Sequence, residues 1–173
     1  TQAGRGLRWT TGDTLMTDRI IASLERQEKA LALLAMLQEA EFTHLRELDP
    51  TKVAGFEFSI HELMRQIASE RTSLTALYAT VSPTAKRLRD VIHTFPEDMA
   101  ARARELYQAI DRREQACARQ AEQNYKMALG FYDQSRACIE FIQQQIAPKK
   151  NVYTAAGRYA RASAEPTVLS GRL

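Results

Sequence analysis

The stretch from Glu97 to Ala147 contains no proline, and one face recurs through it at steps of three and four. Met99, Ala103, Leu106, Ile110, Cys117, Ala121, Ala128, Phe131, Ile139, Ile142 and Ile146 hold most of those steps, with Arg113, Asn124 and Ser135 at the rest. That period is the α-helical one. A helix of this length with an apolar stripe implies a coiled-coil-like antiparallel bundle. Pro96 stands where the missing amide is tolerated, and Glu97 and Asp98 favour the positive end of the helix. Arg113 and Asn124 interrupt the apolar row, either as imperfectly facing positions or as register control. Gly130 costs about 1 kcal/mol of helix propensity relative to alanine, which close packing or a gentle bend would justify. Pro148 stops the helix.

Two further helices precede it. Thr17 is placed to cap the first, which runs to about Leu48. Ile20, Ile21, Leu24, Leu31, Leu34, Leu37, Phe42, Leu45 and Leu48 form its stripe, widened by Leu33, Ala35 and Met36. Asp49 and Pro50 end it. Residues 51–58 read as a turn or short irregular piece. Ser59 then caps the second helix with Glu62 in capping-box spacing, and Phe58 and Leu63 fit a hydrophobic staple. Ile60, Leu63, Ile67, Leu74, Leu77 and Tyr78 carry its face, and Pro83 breaks it. A short helical piece with Leu88, Val91 and Ile92 ends near His93 to Pro96.

The fold class is therefore all-α: an elongated antiparallel bundle of three main helices plus a short connecting helix, with an irregular C-terminal tail. Residues 1–16 are expected to form a flexible leader, in which Trp9 has no assigned role. Residues 17–147 form the helical bundle domain. Residues 148–173 form a basic, mobile tail, with Lys149, Lys150, Arg158, Arg161 and Arg172 against Glu165 alone.

The chemistry this chain can carry is narrow. A net charge of +3 comes from interleaved signs rather than one basic stripe, so nucleic acid is not an expected partner. No apolar run approaches the length of a membrane span, and the N-terminus lacks a basic region followed by an apolar one. Cys117 and Cys138 stand twenty-one residues apart (138 − 117) on one helix, about 30 Å along its axis, too far for an intrachain disulfide. Both fit an apolar face, as small buried thiols in a reducing compartment. His44, His61 and His93 lie apart and show no metal-ligand spacing, and no phosphate-cradling or nucleophile motif is present. Neither an enzyme nor a cofactor is expected. Protein binding is the better reading, because apolar helical faces can hold a partner's amphipathic helix. Tyr107, Tyr125, Met127, Phe131 and Tyr132 are candidates for that surface, packing within the bundle being their alternative role. A helix this long can also pair across a homodimer.

The pattern resembles the flagellar export chaperones of the FlgN type. Leu33, Leu34, Leu37, Gln38, Glu39 and Leu45 match that family's leading helix, and the Glu70, Arg71 pair within Leu63 to Leu77 its second. Asn124 and the aliphatic and aromatic positions after it match the third. After the long helix, Tyr153 is followed by Gly157 and Arg158, as in the family, while the segment Arg5 to Trp9 has no counterpart. The resemblance implies a cytoplasmic type III secretion chaperone. It would bind C-terminal helical or disordered segments of hook–filament junction proteins, prevent premature assembly, and deliver them to the export gate without ATP or metal. It places the client surface on the long helix, adding Ile139 to the residues above, and the gate contact at Tyr153, Gly157 and Arg158. The other function considered is a helical adaptor or structural coiled-coil protein with a different protein partner.

Overall fold

The computed structural model describes the backbone of residues 11–146 and the side chains of residues 14–146. Expectations placed on Trp9, and on the tail with Tyr153, Gly157 and Arg158, lie outside the described residues. Among the described residues four α-helices follow in order: α1 (Thr11–Arg46), α2 (Pro50–Val81), the short α3 (Leu88–Val91) and α4 (Glu97–Ile146). A single 3₁₀ turn, Ile92–Thr94, lies between α3 and α4. The chain divides into two compact units, the first through Met127 and the second from Ala128.

The first unit is a three-helix bundle, and its side-chain pairs give the directions of the helices. Along α1 and α2, Thr80 donates to the Met16 sulfur at 3.3 Å, Arg26 reaches Glu70 at 3.1 Å, and His44 stacks on Phe56. One number rises as the other falls, so these helices are antiparallel. Along α1 and α4 both numbers rise together: Glu25 with Arg102, Glu28 with Arg113, Leu31 with Cys117, Gln38 with Asn124. These two are parallel. Arg71 pairs with Glu114 between α2 and α4, and Tyr78 lies near Tyr107, which makes that pair antiparallel. Up-down-up order is what short connections between neighbouring helices produce.

The core contains Ile20, Leu24 and Leu31 of α1, Ile67, Leu74 and Tyr78 of α2, Val91 of α3, and Ala103, Leu106 and Ile110 of α4. Each large aliphatic side chain removed from water contributes about 1.5–3 kcal/mol. The buried row of α1 is a strict three-four repeat, Thr17, Ile20, Leu24, Gln27, Leu31, Leu34, Gln38, and three of its seven members are polar. Ser23, fully buried beside it, donates to Glu70 at 3.2 Å.

Several expected boundaries move. Helix α1 already includes Thr11, so Thr17 is a buried interior residue rather than a cap. The α1 stripe is narrower than expected, because Leu33 and Met36 are exposed. Leu48 is not part of it: this residue is exposed and carries φ 57°, the left-handed conformation that closes the turn. The Asp49–Pro50 stop is also the start of α2. The Asp49 carboxylate accepts from the Lys52 amide at 3.1 Å, a bond that holds its pKa below the usual value, and Pro50 opens the helix. Residues 51–58 are therefore helical. The Ser59 hydroxyl donates to the Gly55 carbonyl one turn back, Glu62 accepts from Arg65 and Gln66, and Phe58 is 76% exposed. None of the three forms the expected cap or staple. Helix α3 and the start of α4 fall where the sequence places them, with Ile92 in the 3₁₀ turn rather than in α3.

In the second unit, residues 128–146 form the remaining turns of α4. Gly130 makes no close approach: a Cβ built there meets nothing within 4 Å. Cys138 is exposed, unlike the buried Cys117, so the expectation of two buried thiols holds for one. Its segment has no neighbouring helix described within its own unit to cover it.

Candidate protein-binding surfaces

Two surfaces carry the candidate residues. The first lies on residues 128–146, where Leu129, Tyr132, Ile139, Phe141, Ile142 and Ile146 are all exposed. Tyr132 and Ile139 are seven residues apart, and Ile142 and Ile146 continue at three and four, so these four occupy one helical face. The charged residues Asp133, Arg136 and Glu140 keep their own three-four row beside it. Arg136 donates to Glu140 at 2.9 Å, which cancels two of the three charges locally. Gln143, Gln144 and Gln145 add polarity without charge. The result is a bare isoleucine-rich strip, able to pack a second apolar helix but lacking fixed charge to specify one. Phe131 is half-buried here.

The second surface belongs to the bundle. Tyr107 is half exposed and lines an open cleft of about 280 Å³ between α2 and α4, floored by Leu24, Gln27, Leu74, Tyr78 and Ile110. Burial pushes the Tyr78 phenol well above the usual tyrosine range, with the nearby Tyr107 adding to the shift. Tyr125 is exposed and Met127 half-buried on the last turns of the same unit. Tyr107 and Tyr125 are eighteen residues apart (125 − 107), about 27 Å along the helix, so one small ligand cannot touch both. The candidates thus do not converge on a single site: Tyr132 and Ile139 share a stripe, and Tyr107 stands in a separate cleft.

Sequence reasoning placed Ile142 and Ile146 on the apolar row but not in the site, and missed Leu129 and Phe141. Their signal was the persistence of the three-four pattern to the last turn of a helix. Nothing in the pattern marked the cleft, whose floor residue Gln27 reads as solvated surface.

Between the tyrosines sits a polar node. Asn124, 4% exposed, donates to the Gln38 carbonyl at 2.8 Å and to the Glu41 carboxylate, and accepts from Gln120 at 2.9 Å. This answers the choice raised by the interrupted stripe: Asn124 faces inward. Arg113 likewise turns to α1 and meets Glu28 at 2.6 Å. Among the described residues no helix is long and apolar enough to cross a membrane, and no group of His, Cys, Asp and Glu is placed to hold a metal ion.

Among curated proteins and among solved structures no match is found. A protein-family comparison does find one: the profile described as FlgN protein matches residues 16–161, which takes in α1 from Met16 onward, α2, α3, α4 and the positions of Tyr153, Gly157 and Arg158. With all but the ends of the chain matched, this protein belongs to the FlgN family, a family of flagellar export chaperones.

Proposed function

We propose that this chain is a cytoplasmic chaperone whose residues 129–146 hold the C-terminal helical or disordered segments of hook–filament junction proteins. Holding them prevents premature assembly and allows delivery to the export gate. The observation that carries this reading is the exposed strip of Tyr132, Ile139, Ile142 and Ile146. A client segment that orders against such a strip exchanges its own conformational freedom for apolar burial on both partners. Phe131 belongs to the same client surface in this reading, and Tyr125 and Met127 of the first unit are proposed as further client contacts. Tyr153, Gly157 and Arg158 are proposed as the gate contact, supported by a family match that runs through them.

The test is a titration of the full chain with peptides from the C termini of hook-associated flagellar proteins. Saturable binding is expected, with an Ile139→Asp, Ile142→Asp double variant weakened by about tenfold or more. Equal binding by the double variant would move the client surface elsewhere, and no binding by the unmodified chain would leave a helical adaptor for another partner. Light scattering in the same samples reads whether one or two copies hold the peptide.

A further inference from the structure

The cleft between α2 and α4 is not used by the client reading, and its charges are uneven. It adjoins a second open cleft of about 450 Å³, the two sharing Arg87, Leu88 and Tyr107. Together they are lined by five cations, Arg71, Lys86, Arg87, Arg89 and Arg104, and by two carboxylates, Asp111 and Glu114. Glu114 is engaged by Arg71, and Asp111 accepts from Gln115 at 3.0 Å. Arg104 pairs with Glu97 and Arg89 with Asp90. Asp90 also accepts from the backbone amides of Lys86 and Arg87 at 3.0 Å, which fixes these two residues at the cleft mouth and lowers the Asp90 pKa. Neither Lys86 nor Arg87 forms a side-chain ion pair among the described residues, and the Arg87 charge acts on Asp90 without one.

Beneath them the floor is apolar except at Gln27 and the Tyr78 phenol. Gln27 is 4% exposed, and its Nε2 donates to nothing among the described residues. A buried donor without an acceptor costs about 1–3 kcal/mol. The terminal amide torsion of glutamine is soft, so a modest rotation offers this donor to an acceptor entering the cleft.

We propose that this double cleft docks an acidic peptide segment of a protein partner. Aliphatic side chains of the segment lie on Leu24, Leu74, Leu88, Ile92 and Ile110. Its carboxylates meet Lys86 and Arg87, and one of its carbonyls receives the Gln27 amide. The length of two adjoining open clefts with an apolar floor fits a chain segment, whereas a small anion would leave that floor uncovered. This surface is separate from residues 129–146, so one chain has a site for a second partner distinct from the proposed client.

The test is fluorescence anisotropy of the full chain with a short blocked peptide of alternating glutamate and leucine, beside its lysine–leucine counterpart. The acidic peptide alone is expected to saturate, with affinity falling as salt rises. A Lys86→Glu, Arg87→Glu double variant should lose about tenfold in affinity, while circular dichroism stays unchanged because both side chains are exposed. Gln27→Leu should weaken binding several-fold without altering its salt dependence. The Ile139→Asp, Ile142→Asp variant should bind as the unmodified chain does, which keeps this result independent of the client reading. Four outcomes overturn the proposal. They are full binding by the Lys86, Arg87 variant, equal binding of the lysine peptide, and loss of binding on Lys149→Gln, Lys150→Gln instead. The fourth is displacement by inorganic phosphate at an ionic strength where chloride has no effect.

Discussion

The side-chain amide of Asn124 donates to the main-chain carbonyl of Gln38 at 2.8 Å, tying α4 to α1 at a buried position of the seam. The carbonyl it uses belongs to a helix, so the bond reads position along α1 rather than a particular side chain. Asn124→Ala should destabilise the bundle by about 1–2 kcal/mol, because Gln120 and Glu41 lose their partner and a gap opens. Asn124→Leu should recover much of that loss, since buried polar contacts add little net stability over good apolar packing. Urea denaturation of the two variants compares them. A larger loss for leucine than for alanine would show that the node stabilises beyond its volume.

Glycine at positions 55 and 130 has no packing reason. A Cβ at either place meets nothing within 4 Å, and both lie inside helices. Gly55→Ala and Gly130→Ala should each stabilise by about 1 kcal/mol, read as a rise in denaturation midpoint at unchanged slope. Leu48→Gly should act in the same direction, by relieving the left-handed backbone of an exposed leucine at φ 57°.

Acid and alkali should attack different helices' contacts. Hydrogen bonding and attraction from Arg26 hold the Glu70 carboxyl below its usual pKa, and Ser23 adds a further hydrogen bond. A lowered folded pKa stabilises above the unfolded value of about 4.3, and this stability is lost as pH falls through the folded pKa. Tyr78 is the opposite case. Its raised pKa gives stability that is complete below about 10 and is lost as pH rises above that value. Glu70→Gln should flatten the acid limb of a stability–pH curve and Tyr78→Phe the alkaline limb, each leaving the other limb intact.

The two cysteines should separate cleanly. Cys117 is buried, its thiol lies 3.6 Å from the Leu31 carbonyl, and burial pushes its pKa up against the pull of Arg113. Cys138 is exposed. Iodoacetamide on the native chain should modify Cys138 first, and Cys117 only as the bundle opens. Mass spectrometry of a short time course distinguishes them, and equal rates would place Cys117 in solvent.

Much of this fold can be read from spacing. The long proline-free run, the stop at Pro83 and the Phe95–Pro96 entry to α4 each act through backbone constraints that a sequence displays directly. The missed features share another cause. Thr17, Gln27 and Gln38 occupy seam positions that apolar patterning skips, because a polar side chain is read as exposed until its neighbours are known. Ser59 looked like a cap, but Asp49 and Pro50 had already started the helix ten residues earlier. Leu48 continued a helical period that the chain had left. The tyrosines were legible as candidates, yet periodicity alone does not tell a cleft wall from an open stripe. Cys138 and Ile139 fit the same inward pattern as Cys117 and are exposed all the same.

The Glu47–Leu48–Asp49 turn sets a length standard for the hairpin it joins. The Asp49 amide closes back on the His44 carbonyl while its carboxylate begins α2, so no slack residue separates the two helices. Adding or removing one residue there would turn α2 by about 100° about its axis and carry Glu70 away from Arg26. The 82–87 connection has no such dual-purpose residue. Across relatives of this chain, insertions and deletions should therefore collect between α2 and α3 and spare the α1–α2 turn, a pattern of inherited length rather than of inherited residue identity.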